Sequence, residues 1–221
     1  MQELEVKNLL NLNETIANKI FENVTYPWEV INKISEFIIE LGETLDKNIY
    51  EEKAPNVWVA KSAEIAPTAF IGGPCIIDEN AKIRHSAFIR ENAIVGKNVV
   101  VGNSTELKNV IIFNNSEVPH YNYVGDSILG YKSHMGAGSI ISNLKSDKSN
   151  VSVKYNDKKI ETNLRKFGAI LGDNVEVGCS SVLNPGSIIG RKTNIYPLSC
   201  VRGFIGSNKI YKNQNEIVEK I

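Results

Sequence analysis

Residues 71–96 have the sequence IGGPCIIDENAKIRHSAFIRENAIVG, in which every sixth residue from Ile71 to Val95 is aliphatic. The same period extends to both sides and returns near the C-terminus. The aliphatic positions are Val59, Ile65, Ile71, Ile77, Ile83, Ile89, Val95, Val101 and Leu107, then Leu171, Val177, Leu183, Ile189, Ile195 and Val201. A period of six matches neither a helix nor an isolated strand. It predicts an all-β solenoid, a parallel β-helix in which each short strand points one aliphatic side chain inward.

Small residues and glycines accompany the aliphatic positions. The side chain two positions earlier is usually small, as at Ala63, Cys75 and Ala87, and glycine often follows, as at Gly72 and Gly96. Each coil of such a solenoid covers only one face of its neighbour. Stability therefore comes from stacking the coils at the ~4.8 Å spacing of paired strands.

The composition narrows the classes of function. Lysine and arginine total 25, as do aspartate and glutamate, so the net charge of the 221 residues is zero. We therefore expect no broad electrostatic binding of nucleic acid or of an anionic membrane. No apolar run approaches the ~20 residues of a membrane span, and the start of the chain does not resemble a signal peptide. The three cysteines form no CxxC pair, and Cys75 occupies a small-residue position, so a reduced, cytoplasmic protein is expected.

The repeat divides the chain into three regions. Residues 1–55 lack it and are predicted to form an N-terminal helical cap over the open first coil, ending in a polar linker at 51–55. Pro27 suits the first turn of an amphipathic helix that ends near Gly42, and a docking surface is the alternative role of its apolar side. Residues 56–206 are predicted to form the β-helix. Residues 207–221 are predicted to be a polar tail whose last turns are helical.

Two interruptions break the repeat, at residues 113–125 and about 145–165. The second contains five lysines, and its apolar residues alternate on both sides of Asn156-Asp157, which predicts a β-hairpin projecting from the solenoid. Loops held by a rigid scaffold often carry function. We therefore expect the functional residues near these interruptions.

His120 lies in the first interruption, within the sequence PHYNYVGD at 119–126. A neutral imidazole can accept a proton near neutral pH, which makes His120 a candidate general base. The alternative is a surface or structural histidine, which is the usual role of a lone histidine.

Residues 119–126 and the segment Met135-Gly-Ala-Gly-Ser-Ile-Ile-Ser-Asn143 resemble the acetyltransferase domain of the bifunctional N-acetylglucosamine-1-phosphate uridyltransferases. That family has His-x-x-Tyr-x-Gly-Asp before Gly-Ala-Gly-Thr-x-x-x-Asn in a left-handed hexapeptide β-helix. Asn143-Leu-Lys, the lysine-bearing hairpin and residues 165–173 are most similar to the archaeal-type sugar-1-phosphate nucleotidylyltransferase/acetyltransferases.

The resemblance implies a homotrimer with active sites between subunits, acetyl-CoA as the acetyl donor and an amino-sugar 1-phosphate as the acceptor. It makes His120 the base that deprotonates the amino group of the sugar. By the same resemblance Tyr123 and Asn143 position the sugar, while Arg90 and Lys108 hold its phosphate. The implied acetyl-CoA contacts are Ala137, Cys179 and Pro197. Backbone amides of Gly136 and Gly138 are expected to stabilise a developing oxyanion.

Two departures from the family pattern affect the acceptor. His134 occupies the position of a sugar-contacting asparagine, and the family's lysine after its Asn-Tyr-Asp-Gly has no clear match. Lys148 is the candidate for that lysine, with Lys154 as the alternative.

Three functional hypotheses follow. The first is a stand-alone acetyl-CoA-dependent N-acetyltransferase, since no glycine-rich nucleotide-binding motif precedes the repeat. The second is a non-catalytic scaffold or regulatory subunit that partners a separate nucleotidylyltransferase. The third is a zinc hydratase, which needs three converging histidines. His85, His120 and His134 contain no pair spaced to share a corner, so we expect no metal.

Overall fold

A computed structural model describes residues 1–220. Its body is a left-handed parallel β-helix of about nine coils, as the six-residue period predicts. Each coil has three short strands, so strands of successive coils stack into three faces. Val57 pairs with Cys75, and Cys75 with Ala93, which sets a coil of 18 residues, or three hexapeptides.

The three faces contain the following strands. The first face has Val57–Ala60, Cys75–Ile77, Ala93–Val95, the C-terminal halves of Glu106–Ile112 and Tyr123–Leu129, Ala169–Leu171, Ser187–Ile189 and Phe204–Ile205. The second face has Glu64–Ile65, Lys82–Ile83, Val100–Asn103, Glu117–His120, His134–Met135, Glu176–Val177, Asn194–Ile195 and Lys209–Asn213. The third face has Phe70–Ile71, Phe88–Ile89, the N-terminal halves of Glu106–Ile112 and Tyr123–Leu129, Ile140–Ile141, Val182–Leu183 and Cys200–Val201.

The predicted inward positions form the core of the coil. Ile77, Ile89, Leu107, Leu171 and Leu183 are all fully buried in one continuous apolar cluster. Burying each such side chain stabilises the fold by about 1.5–3 kcal/mol relative to leaving it exposed.

The first interruption is a shortened coil rather than a loop. Ala93 pairs with Val110 and Val110 with Ser127, so two successive coils have 17 residues instead of 18. The break in the period at 113–125 is therefore a change of register within the solenoid, and Glu117–His120 pairs regularly within the second face. The loss of one residue in each of these two coils shifts the aliphatic period without disturbing the stack.

The N-terminal segment covers the first face instead of the end of the coil. It contains the α-helices Val6–Leu9 (α1) and Ile34–Glu43 (α2) and the 3₁₀ helices Gln2–Leu4, Leu12–Glu14, Asn18–Phe21 and Pro27–Lys33. Helix α2 packs against three consecutive strands of the first face. The predicted position over the open first coil is wrong. The first face has an outward column of large apolar side chains, and the N-terminal segment buries them. These residues are Trp58, Ile76, Ile94, Ile111, Ile128, Ile170 and Ile188.

Antiparallel strands close both ends of the solenoid. Tyr50–Ala54 pairs with Val57–Ala60 at the first coil, so the predicted linker at 51–55 is a strand. At the other end Glu216–Glu219 pairs with Lys209–Asn213. The predicted helical tail is therefore wrong, and the solenoid continues past residue 206; Ile221 lies outside the described residues. Both strands satisfy backbone groups that an open edge would leave unpaired.

The hairpin is present as predicted. Strands Val151–Tyr155 and Lys158–Leu164 flank the turn at Asn156-Asp157. A bridge between Leu144 and Lys166 closes the base of the excursion. The hairpin packs back against the first-face strands Ser187–Ile189 and Phe204–Ile205.

Two smaller expectations concern Cys75 and membrane spans. Cys75 is buried as predicted, and its burial raises the pKa of the thiol to about 12. Within residues 1–220, no helix has the length and apolar character needed to cross a membrane.

Candidate active site

The corner where the third face turns into the first is built around the Asp126 carboxylate. Asp126 is 3% exposed, and its Oδ1 lies 3.2 Å from the Nζ of Lys108. The Nδ2 of Asn109 donates to the same oxygen at 2.9 Å, while the Asn143 amide donates to Oδ2. Lys108 and Asn109 belong to the coil before Asp126, and Asn143 belongs to the coil after it. The carboxylate therefore fixes these three side chains relative to one another. We call this group the Asp126 corner.

Tyr123 and Asn143 meet over Gly125. A Cβ at Gly125 would lie 2.6 Å from both the Tyr123 Oη and the Asn143 Nδ2, so a side chain there would displace both groups. Burial is the main cause that raises the pKa of Tyr123, and the carboxylates of Asp126 and Glu106 raise it further. The phenol therefore stays protonated beside the Asn143 amide.

Arg90 lies on the same side of the solenoid. Its Nη1 donates to the Oε1 of Glu106 at 3.1 Å, and this hydrogen bond is the main reason that the pKa of the guanidinium is raised. Glu106 pairs in register with Tyr123 on the next coil. The structure thus brings Arg90, Lys108, Tyr123 and Asn143 together on four successive coils, with both cations already facing carboxylates.

The opposite corner, between the second and third faces, aligns four predicted site residues. Each residue in this line hydrogen-bonds through its carbonyl to the backbone amide of the next coil: Asn103 to Tyr121, His120 to Gly138, Ala137 to Ser180, and Cys179 to Leu198. His120, Ala137, Cys179 and Pro197 therefore stack one above another along the solenoid axis. We call this line the His120 corner. It places the candidate base in line with all three residues implied for acetyl-CoA.

The backbone at the His120 corner is fixed by Asn122. The His120 amide donates to the Asn122 Oδ1 at 3.0 Å. The buried Asn122 Nδ2 donates in turn to the carbonyls of Gly136 and Ser139, at 2.8 and 3.1 Å. The His120 side chain itself is exposed, and no hydrogen bond to it forms among residues 1–220. A cavity of about 780 Å³ adjoins it on the N-terminal side and is lined by Arg84, His85 and Asn103, among others.

The amides predicted to stabilise an oxyanion are already occupied. The Gly136 amide donates to the Val177 carbonyl at 2.7 Å, and the Gly138 amide donates to the His120 carbonyl at 2.9 Å. That expectation is wrong, because both groups belong to the hydrogen bonds that stack the coils. The Ala137 amide makes no such bond within residues 1–220, so it is the available donor at this corner.

Two predicted substrate residues lie apart from the rest. His134 is on the second face, where its Nδ1 lies 3.2 Å from the Oε2 of Glu117. Lys148 is exposed in the loop before the hairpin. His85 and His120 do share a corner, contrary to expectation, but the coil of Asn103 separates them. Among residues 1–220, no three His, Cys, Asp or Glu side chains are grouped to hold a metal ion.

No role was predicted for Asp126, although it ends the His-x-x-Tyr-x-Gly-Asp pattern, or for Asn122. Asp126 has a positive φ of 47° at a corner where the two preceding coils have Asn92 and Asn109. The sequence therefore contained a signal for Asp126, because an aspartate replaces the asparagine found at this corner in the two preceding coils. Asn122 likewise stands at a small-residue position of the repeat, where a buried amide needs partners.

The chain belongs to the GMPPB C-terminal domain family, whose model matches residues 71–196. It is 33% identical over 214 residues to the bifunctional protein GlmU of Methanococcus aeolicus, covering 95% of this chain and 51% of that protein. It is 37% identical over 109 residues to the bifunctional sugar-1-phosphate nucleotidylyltransferase/acetyltransferase of Sulfurisphaera tokodaii, covering 49% of this chain and 27% of that protein. These matches confirm the resemblance found in the motifs.

The chain spans about half the length of the Methanococcus relative and about a quarter of the length of the Sulfurisphaera relative. A solved hexapeptide transferase family protein from Anaplasma phagocytophilum is 16% identical, with a TM-score of 0.42, and the match covers 75% of this chain and 80% of that one.

Proposed function

We propose that this chain is an acyltransferase that moves the acetyl group of acetyl-CoA to the amino group of an amino-sugar 1-phosphate. The observation that carries the proposal is the His120 corner, where a solvent-accessible imidazole stacks in line with Ala137, Cys179 and Pro197. The names of the relatives, which include nucleotidylyltransferase/acetyltransferase, agree with this chemistry.

In the proposed reaction His120 accepts a proton from the sugar's amino group, because an amine attacks a thioester carbonyl only through a free lone pair. Attack forms the N–C bond and moves charge to the carbonyl oxygen, which the free Ala137 amide stabilises. The intermediate then collapses with cleavage of the C–S bond. The CoA thiolate leaves and takes up a proton, which gives the amide and free CoA.

The Asp126 corner supports the acceptor role. Tyr123 and Asn143 are held in place there, with hydrogen-bonding groups for sugar hydroxyls. Arg90 and Lys108 would exchange part of their contact with Glu106 and Asp126 for the sugar's phosphate. A hydrogen bond from a charged donor to phosphate is stronger than a hydrogen bond between two neutral groups.

The proposed assembly is a homotrimer. The third face carries exposed apolar residues on both sides of Glu106 and Tyr123: Phe70 is 58%, Phe88 41% and Ile140 39% exposed. Such a patch on a rigid face favours association with another subunit. Ile94, an outward apolar residue of the first face, does not contribute to this surface, because it is buried beneath the N-terminal helices. Light scattering should give a mass near three times 24.5 kDa; a monomer at micromolar concentration would contradict the trimer.

A panel of acceptors tests the function. The purified chain is incubated with acetyl-CoA and glucosamine 1-phosphate, galactosamine 1-phosphate, glucose 1-phosphate or the free amino sugars, and released thiol is measured. We expect turnover with an amino-sugar 1-phosphate and little with the free sugar or with a hydroxyl in place of the amine. Absence of acceptor-dependent thiol release across the panel would favour the scaffold hypothesis. Because Cys75, Cys179 and Cys200 are all free thiols, we also propose a cytoplasmic location.

A further inference from the structure

A cavity of about 490 Å³ lies between the hairpin and the C-terminal coils. The loop after Asn143 and the hairpin form one wall, while Asn184, Pro185, Arg202 and Gly203 form the other. Four cationic side chains line it, namely Lys145, Lys154, Lys159 and Arg202, against the single carboxylate of Asp147.

Two of these cations are available for a ligand. Lys145 lies 3.3 Å from the Asp147 carboxylate, and Lys159 lies 2.8 Å from Glu161. Lys154 and Arg202 form no salt bridge within residues 1–220. Arg90 and Lys108 differ in this respect, since each already faces a carboxylate. The cavity therefore has the unneutralised positive charge that the Asp126 corner lacks.

The two walls are held at a fixed separation. Gly203 has a φ of +74°, and a Cβ there would lie 3.0 Å from the Lys154 carbonyl oxygen. The hairpin backbone thus sits directly on the coil that carries Arg202. Glycine at position 203 permits this close approach of the two backbones. Lys154 and Arg202 consequently line the same cavity.

The cavity adjoins the proposed acceptor site. Ser142 and Leu144, the neighbours of Asn143 on both sides, line it. It continues toward the C-terminal coils, whereas Arg90 and Lys108 lie on the N-terminal side of Asn143. A ligand whose sugar contacts Asn143 can therefore extend into the cavity.

We propose that this cavity binds a diphosphate group, through Lys154 and Arg202 with Lys145 beside them. The identification of its carrier rests on the proposed function and narrows its acceptor: the sugar 1-phosphate is part of a nucleoside diphosphate, with its sugar against Tyr123 and Asn143. The two phosphates then lie in the cavity, and Arg90 and Lys108 keep their carboxylate partners. Guanidinium and ammonium groups are the donors that bind phosphate most strongly. The 490 Å³ volume accommodates more than a single phosphate.

The binding test uses inorganic pyrophosphate and does not depend on turnover. Isothermal titration calorimetry should detect binding to the wild-type chain and at least tenfold weaker binding to the Lys154→Met/Arg202→Met double variant. Lys158→Met is the matched control, because Lys158 is on the same hairpin but does not line the cavity. Equal binding by wild type and double variant, or none by the wild type at millimolar concentration, would overturn the proposal.

Kinetics then identify the carrier. In the double variant we expect the KM for a nucleoside-diphosphate-linked amino sugar to rise at least tenfold, with an unchanged KM for acetyl-CoA. A rise confined to acetyl-CoA would keep the diphosphate site but assign it to the donor, and so overturn the acceptor assignment. If pyrophosphate binds as expected and no acceptor is acetylated, the proposed function fails while the diphosphate site stands.

Discussion

The two corners of the third face are built in opposite ways. At the Asp126 corner, side chains hold one another: a buried carboxylate contacts Lys108, Asn109 and Asn143. At the His120 corner the backbone is fixed by coil-to-coil hydrogen bonds, while the His120 side chain is exposed to solvent. The comparison indicates that the chain pre-organises the groups that we propose to bind the substrate and leaves accessible the group that we propose to exchange a proton.

The difference also separates stability from activity. Substitutions at the Asp126 corner remove buried polar partners and therefore affect folding as well as binding. A substitution of an exposed side chain without partners changes stability by no more than about 0.5 kcal/mol. The two corners should thus respond differently to mutation.

Replacement of the proposed base should have the largest effect on activity. His120→Ala should lower kcat by about 10²- to 10⁴-fold, the usual contribution of a positioned general base. The melting temperature should remain close to that of the wild type, because the exposed imidazole has no side-chain partner among residues 1–220. Steady-state kinetics and thermal denaturation measure the two effects.

His85→Ala provides the control for this variant. His85 is an exposed histidine at the same corner, two coils away, and its Nδ1 lies 2.9 Å from the Thr68 hydroxyl. Its loss should leave kcat within a few-fold of the wild-type value. A His120→Ala enzyme that retains most of its turnover would rule out the mechanism.

At the other corner, Asp126→Asn should affect both stability and binding. The variant keeps the size of the side chain but removes the charge that faces Lys108, so the free energy of unfolding should fall by about 1–3 kcal/mol. The KM for the acceptor should rise about tenfold because Lys108 and Asn143 lose their common anchor. Denaturant unfolding and acceptor titration measure these changes.

A similar buried carboxylate elsewhere distinguishes a local role from general destabilisation. Asp173 is 4% exposed and lies 3.1 Å from Arg191, at a corner distant in the coil from Asn143. Asp173→Asn should destabilise the fold by a comparable amount and leave the acceptor KM unchanged. Equal changes of KM in both variants would show that Asp126 acts only through stability.

The sequence predicted the inside of the solenoid better than its outside. The inward aliphatic of each strand faces the same core, so its period of six is independent of what surrounds the coil. The outward residue depends on the face: Ile76, Ile94 and Ile111 recur only once per coil, at every third strand. This repeat of one apolar residue per coil marks the face that the N-terminal helices cover. The six-residue period alone does not reveal it.

At the Asp126 corner, the sequence indicated residues that lie close together but not how they contact one another. The motifs name Lys108 and Asn143, whereas their common partner is fixed by stacking between coils of 17 residues. A change of one residue in coil length moves every later side chain relative to the preceding coil. The pairing of Lys108 with Asp126 therefore follows from the register, which becomes known only with the structure.

The smallest expected effect concerns Tyr123, which lies between the two corners. Burial and the nearby carboxylates raise the pKa of its phenol, and a raised pKa favours the neutral, hydrogen-bond-donating form. The difference in acceptor KM between wild type and Tyr123→Phe should therefore stay constant from pH 8 to 10, where an ordinary tyrosine begins to ionise. Loss of this one neutral hydrogen bond should raise KM by only about two- to tenfold. Parallel pH profiles of the two enzymes test this, because effects of the substrate's own ionisation cancel in their ratio. If the advantage of the wild type disappears as the pH approaches 10, the phenol ionises within that range and is not held neutral by its surroundings.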